Sequence, residues 1–134
     1  MKAKLALLLA GVLVASLAFA EKPSVKEARI TPTEAAVGDS ISIMAVFTGE
    51  KSDIREIYGY AREYPYDSPR ISLQPAEAAS NNLWHLETTI PWDAPSETFH
   101  LDFTAIDKDG KEIVSEDMAD TAIGKTFTLL LTVK

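Results

Sequence analysis

All four tyrosines of the chain, Tyr58, Tyr60, Tyr64 and Tyr66, fall within the segment YGYAREYPYDSPR, together with Arg62 and Arg70. Tyrosine and arginine are enriched where proteins bind, because they offer large contact area and hydrogen bonds at modest entropic cost. Tyrosine faces also stack on sugar rings. The chemistry on offer is therefore recognition, not bond-making. If this stretch begins as a strand with Ile57, Gly59 and Ala61 inward, Tyr58 and Tyr60 point outward. A neighbouring strand carrying His100 and Asp102 outward would then complete one exposed face. The candidate binding residues are Tyr58, Tyr60, Arg62, Tyr64, Tyr66, His100 and Asp102, and the expected partner is a protein or a glycan. The competing reading is that the tyrosines cover a sheet edge or pack under a long loop.

Other reactive groups are sparse. The chain has two histidines and no cysteine, which removes disulfides, thiolate metal sites and a cysteine nucleophile. His85 and His100 both fall on the polar phase of their segments, and zinc generally takes three or four protein ligands, more than two histidines supply. Asp107-Lys108-Asp109-Gly110 starts like a calcium loop. The twelfth position counted from Asp107 is Met118, however, where the calcium pattern needs a bidentate glutamate; a hairpin turn accounts for the same residues. No G-x-S-x-G elbow is present. No catalytic residue, metal ligand or cofactor is therefore expected, and a hydrolase or metal-dependent enzyme is the reading with least behind it. A net charge of -7 repels phosphate backbones and anionic lipid surfaces, so neither nucleic-acid binding nor peripheral membrane binding is expected.

Residues 1–20 read MKAKLALLLAGVLVASLAFA. A short basic start, an apolar run and Ala18-Phe19-Ala20 make the tripartite order of a cleavable secretory signal. The apolar run is shorter than the roughly 20 residues a spanning helix needs. Cleavage after Ala20 is expected, leaving residues 21–134 as one domain with no stable membrane insertion, in the periplasm or secreted. The short basic start suits a bacterial signal.

Beyond Glu21 the dominant period is two, the mark of half-buried strands. Ser40 to Thr48 sets Ile41, Ile43, Ala45 and Phe47 on one face. Leu83 to Trp92 sets Trp84, Leu86, Ile90 and Trp92 together. Thr98 to Ile106 sets Phe99, Leu101, Phe103 and Ala105 against Thr98, His100, Asp102 and Thr104. Phe127, Leu129, Leu131 and Val133 close the series. Weaker candidates lie at Val25 to Ile30, Asp53 to Arg62 and Arg70 to Gln74. No helical period, internal repeat or low-complexity tract competes. Seven short strands with one apolar face each predict an all-β domain of two packed antiparallel sheets, with a barrel as the alternative. Ser115 to Lys125 reads as an insertion before the last strand.

The stretch LWHLETTIPWDAPSETFHLDFTAIDKDG, ending at Gly110, resembles the E–F–G part of an immunoglobulin-like β-sandwich of the kind found in bacterial exported proteins. That resemblance implies a module that binds or spaces other parts, with the Tyr58 strand beside the His100 strand and with His85 and His100 in different sheets, so that one metal ion could not be held by both. The inter-sheet disulfide of antibody-type domains is missing, with Ile43 or Ala45 and Leu101 at the matching places. Phe99 stands where the corner tyrosine would be. A second expectation from the same architecture is a small accessory subunit that pairs a sheet edge with a larger envelope partner.

Overall fold

The computed structural model describes residues 22–115 and 121–134. The expected signal peptide and the middle of the Ser115–Lys125 insertion lie outside the described residues. Nine strands form: β1 (Val25–Thr31), β2 (Glu34–Ala35), β3 (Ser40–Phe47), β4 (Ile54–Ala61), β5 (Ile71–Pro75), β6 (Asn82–Thr89), β7 (Thr98–Asp107), β8 (Glu112–Ile113) and β9 (Phe127–Val133). The other regular element among the described residues is one 3₁₀ turn, Lys51–Asp53.

All seven expected strands are present, and the domain is all-β. The simple seven-stranded sandwich needs correction. Hydrogen bonding runs as one path, β1-β3-β6-β5-β4-β7-β9-β2, with β8 attached to β7. The link is β5. Its first part, Ile71 to Leu73, pairs with Gly59 to Ile57 of β4, while Gln74 and Pro75 pair with His85 and Trp84 of β6. One strand therefore belongs to both layers, and the result lies between an open sandwich and a barrel. On the opposite side the chain also changes layer. β1 pairs with β3, then a cis Thr31–Pro32 bond leads to β2, which runs parallel to β9. Two-residue strands such as β2 and β8 are too short to show any periodicity.

The alternation places the core as expected. Ile43, Ala45, Phe103, Ala105 and Phe127 are fully buried between the layers. Phe103 stacks on Phe127 at 4.8 Å, and Phe47 of the facing layer meets Phe127 edge-on at 6.4 Å. Gly59 makes room for this cluster: a Cβ there would lie 2.7 Å from Phe103 Cδ1 and 2.8 Å from the Asp102 carbonyl oxygen. The β7–β8 hairpin closes through Asp107. Its Oδ1 accepts the backbone N–H groups of Asp109 and Lys111, while Gly110 takes φ +82°, which a side chain would resist.

One inward assignment fails. Trp92 was expected beside Trp84 and Ile90, but it is 86 % exposed. The strand ends at Thr89, Ile90 is the last buried residue, and Pro91 turns the chain out of the sheet.

Candidate functional site

The outer face of the β4–β7–β9 layer brings together most of the predicted residues. In the register, Tyr60 is opposite Asp102 and Tyr58 opposite Thr104. The Tyr58 and Tyr60 rings meet edge-on at 6.2 Å, both half-buried. Arg62 grips Asp102 with two hydrogen bonds of 2.9 Å, from Nε and from a terminal nitrogen, and the Thr128 hydroxyl donates a third. Burial would raise the Asp102 carboxyl, yet these donors outweigh it and hold the group below its ordinary value. Two residues outside the candidate set complete the face. Arg70 lies 4.3 Å above the Tyr58 ring while its guanidinium pairs with Glu56. Glu63 accepts from the His100 backbone N–H at 2.9 Å and meets its ring Nδ1 at 2.6 Å. Burial pushes Glu63 up, and the contacts with His100 more than reverse it.

The tyrosine group divides. Tyr64 turns from the face, packs 5.9 Å from Phe99 at the end of the core, and donates its hydroxyl to Glu97, which raises its pKa. Tyr66 is 96 % exposed on the β4–β5 loop. Tyr64 thus packs against the core, while Tyr58 and Tyr60 lie half-buried on the outer face. His85 and His100 sit in different layers, as expected. Among the described residues no group of three metal-binding side chains occurs.

Sequence reasoning missed a cleft of about 690 Å³ between the layers. Its walls include Ile41, Ile43, Leu86, Ile90, Phe99 and Leu131. The cause is β5: it is paired with β6 only at Gln74 and Pro75, so on the Ile71 side it follows β4 and leaves the Leu86–Thr89 end of β6 without a neighbour there. The layers part along that gap. One lip of the opening is the β4–β5 loop, with Asp67 to Pro69; the other is the β6–β7 crossover, with Pro91 and Asp93 to Pro95. A second depression, about 490 Å³, is also lined by β5, from Ser72 to Pro75, and mixes Lys51, Arg55 and Glu77 with Trp84. No periodicity rule reports a strand that changes partners, so the cleft had no signal in the alternation.

No sequence family matches the chain, and no curated protein does. Solved structures do. A Niemann-Pick type C2 protein from the Japanese carpenter ant superposes with a TM-score of 0.52 at 7 % identity, covering 85 % of this chain and 94 % of that one. An alkylpurine DNA glycosylase of Pseudomonas fluorescens, bound to DNA containing an abasic site analogue, gives 0.48 at 9 % identity. It covers 84 % of this chain but only 30 % of its own length. At such identities the first likeness is one of fold, an all-β arrangement, and extends no further.

Proposed function

We propose that the chain is a non-enzymatic binding module that holds an apolar small molecule between its two layers. The inter-sheet cleft carries this reading. Its volume of about 690 Å³ lies within the range of small-molecule sites, roughly 300–1,000 Å³. Its walls are predominantly aliphatic and aromatic, and it opens to solvent at one end of the layers. Titration with the neutral fluorophore N-phenyl-1-naphthylamine tests the proposal. Saturable binding is expected, and Leu86→Trp, which fills the cleft from a half-buried position, should weaken it about tenfold while leaving the far-UV spectrum unchanged. No saturable binding by the parent protein, or binding indifferent to that substitution, overturns it.

A second reading keeps the Tyr58–Tyr60 face as a surface for a protein or glycan. Its support is the edge-on pair of half-buried rings on the outer face of that layer. Against it, Arg62 and Arg70 already engage Asp102 and Glu56. Tyr58→Ala with Tyr60→Ala should abolish capture of a glycan or envelope protein without unfolding the domain; unaltered capture counts against the face. Pairing through the β1 edge has less support, because Lys26, Glu27 and Arg29 place charge along that strand. Export through residues 1–20 remains part of the proposal. Mass spectrometry of the secreted protein should find Glu21 at its N-terminus.

A further inference from the structure

The two lips of the cleft carry the same short pattern. Residues 65–69 read PYDSP and residues 91–95 read PWDAP: proline, aromatic, aspartate, a small residue, proline. The loops come from different connections, yet both border one opening. Asp67, Ser68 and Pro69 face the cleft from one side, and Pro91, Asp93, Ala94 and Pro95 from the other. The aromatic of each pattern does the reverse and points to solvent, Tyr66 at 96 % and Trp92 at 86 % exposure. These are the two most exposed aromatic side chains among the described residues, and they flank the same mouth. Prolines on both sides fix φ and lower the freedom each lip would lose on binding.

We infer that this end of the molecule docks on the surface of a zwitterionic lipid bilayer, with Tyr66 and Trp92 as paired anchors. The inference rests on the apolar-ligand reading of the cleft. Tyrosine and tryptophan combine an apolar body with a polar tip and collect at the boundary between headgroups and hydrocarbon. The opening between the anchors leads to a hydrocarbon-lined space, and a molecule that suits that space partitions into a bilayer more readily than into water. The charge selects the kind of bilayer. Neither the Asp67 nor the Asp93 side chain has a hydrogen bond or ion pair with a described residue, and the chain carries a net charge of -7. Anionic headgroups would repel this mouth. Arg70, the basic residue of the cleft lining, is paired with Glu56, so two aromatic anchors without a basic patch give weak, reversible attachment, not insertion.

Tryptophan emission reads the docking directly, because the two tryptophans are in opposite environments. Trp84 is buried and donates its indole N–H to Asn82 Oδ1 at 2.8 Å, whereas Trp92 is in water. Phosphatidylcholine vesicles should shift the Trp92 emission to the blue, and brominated acyl chains should quench it. Co-sedimentation should fall about tenfold in the Tyr66→Ala, Trp92→Ala double variant and on mixing phosphatidylglycerol into the vesicles at low salt. Both substitutions are at exposed positions and should leave the far-UV spectrum unchanged. Absence of shift and quenching, or sedimentation that the double variant retains, overturns the inference. So does concentration-dependent self-association that the same variant abolishes, which would assign the rings to a second copy of the chain. Vesicle binding that fails while N-phenyl-1-naphthylamine still binds removes the docking and leaves the cleft reading standing. Loss of probe binding with vesicle binding intact does the opposite.

Discussion

Asp102 shows how much one outward carboxylate can organise. It lies on the middle strand of its layer, takes two hydrogen bonds from Arg62 of the adjoining loop and one from Thr128 of the next strand, and so ties three segments together. Its side chain is only 10 % exposed, while that of Arg62 is 38 % exposed. Asp102→Asn removes the charge and turns an N–H₂ group toward donors that need an acceptor. A loss of about 2 kcal/mol in urea-unfolding stability is expected. Gly59 makes a different residue-scale prediction. Its Cβ would meet a backbone carbonyl at 2.8 Å, which cannot rotate away, as well as the Phe103 ring. Gly59→Ala should therefore cost about 1–3 kcal/mol by overpacking, even though alanine is ordinarily the better-tolerated residue in regular structure. Equal stability of the two proteins in urea would show that β4 and β7 can part at that point without penalty.

Among the elements, β7, β8 and β9 meet at Thr126. Its hydroxyl oxygen accepts the Ala105 backbone N–H at 2.8 Å and donates to the Ile113 carbonyl, all of it buried. The side chain thus takes the place of a missing strand partner where the short β8 leaves the ladder. Thr126→Val keeps the shape but orphans a buried donor and a buried acceptor. About 1–3 kcal/mol of stability should be lost, measurable by thermal or urea unfolding. This junction marks the limit of what alternation can reveal. Long strands such as β3 and β7 are legible because one-sided burial repeats over eight or ten residues. From that repeat follow the outward placing of Tyr58, Tyr60 and Asp102 and the buried line from Phe99 to Ala105, whereas the pairing of β4 with β7 was expected only from the immunoglobulin-like strand order. The role of β5 is not legible, because its five residues divide between two neighbours, and the division depends on backbone direction and not on side-chain type. The cleft follows from that division, so it was hidden together with it. Trp92 went astray for a related reason: it continues the alternating count after Pro91 has already turned the backbone away.

For the molecule as a whole, the carboxylates set a direction for acid stability. Asp53, Glu63, Asp102 and Asp107 all have pKa values below their ordinary ones. Each owes this to donors that folding supplies: the Glu50 N–H and Lys108 at Asp53, His100 at Glu63, Arg62 and Thr128 at Asp102, and the Lys111 and Asp109 N–H groups at Asp107. The unfolded chain, lacking those donors, takes up protons first as pH falls through the ordinary carboxylate range near about 4. Stability from these four contacts is thus fully present above that range. It declines as the pH drops toward each folded value and is gone below it. Unfolding free energy should be level from pH 7 to about 5 and fall steadily below about 4. Glu63 gives this decline a functional consequence, because it fastens the start of the β4–β5 lip to His100 on β7. Protonating Glu63 removes the carboxylate's charge and weakens its hold on the His100 backbone N–H, so the lip should loosen in acid and release the cleft's occupant. Glu63→Gln should weaken N-phenyl-1-naphthylamine binding at pH 7 and make it less sensitive to acid than in the parent protein. Identical binding curves for the two proteins from pH 7 to about 4 would mean that the lip is held by its prolines and by Tyr64, not by this carboxylate.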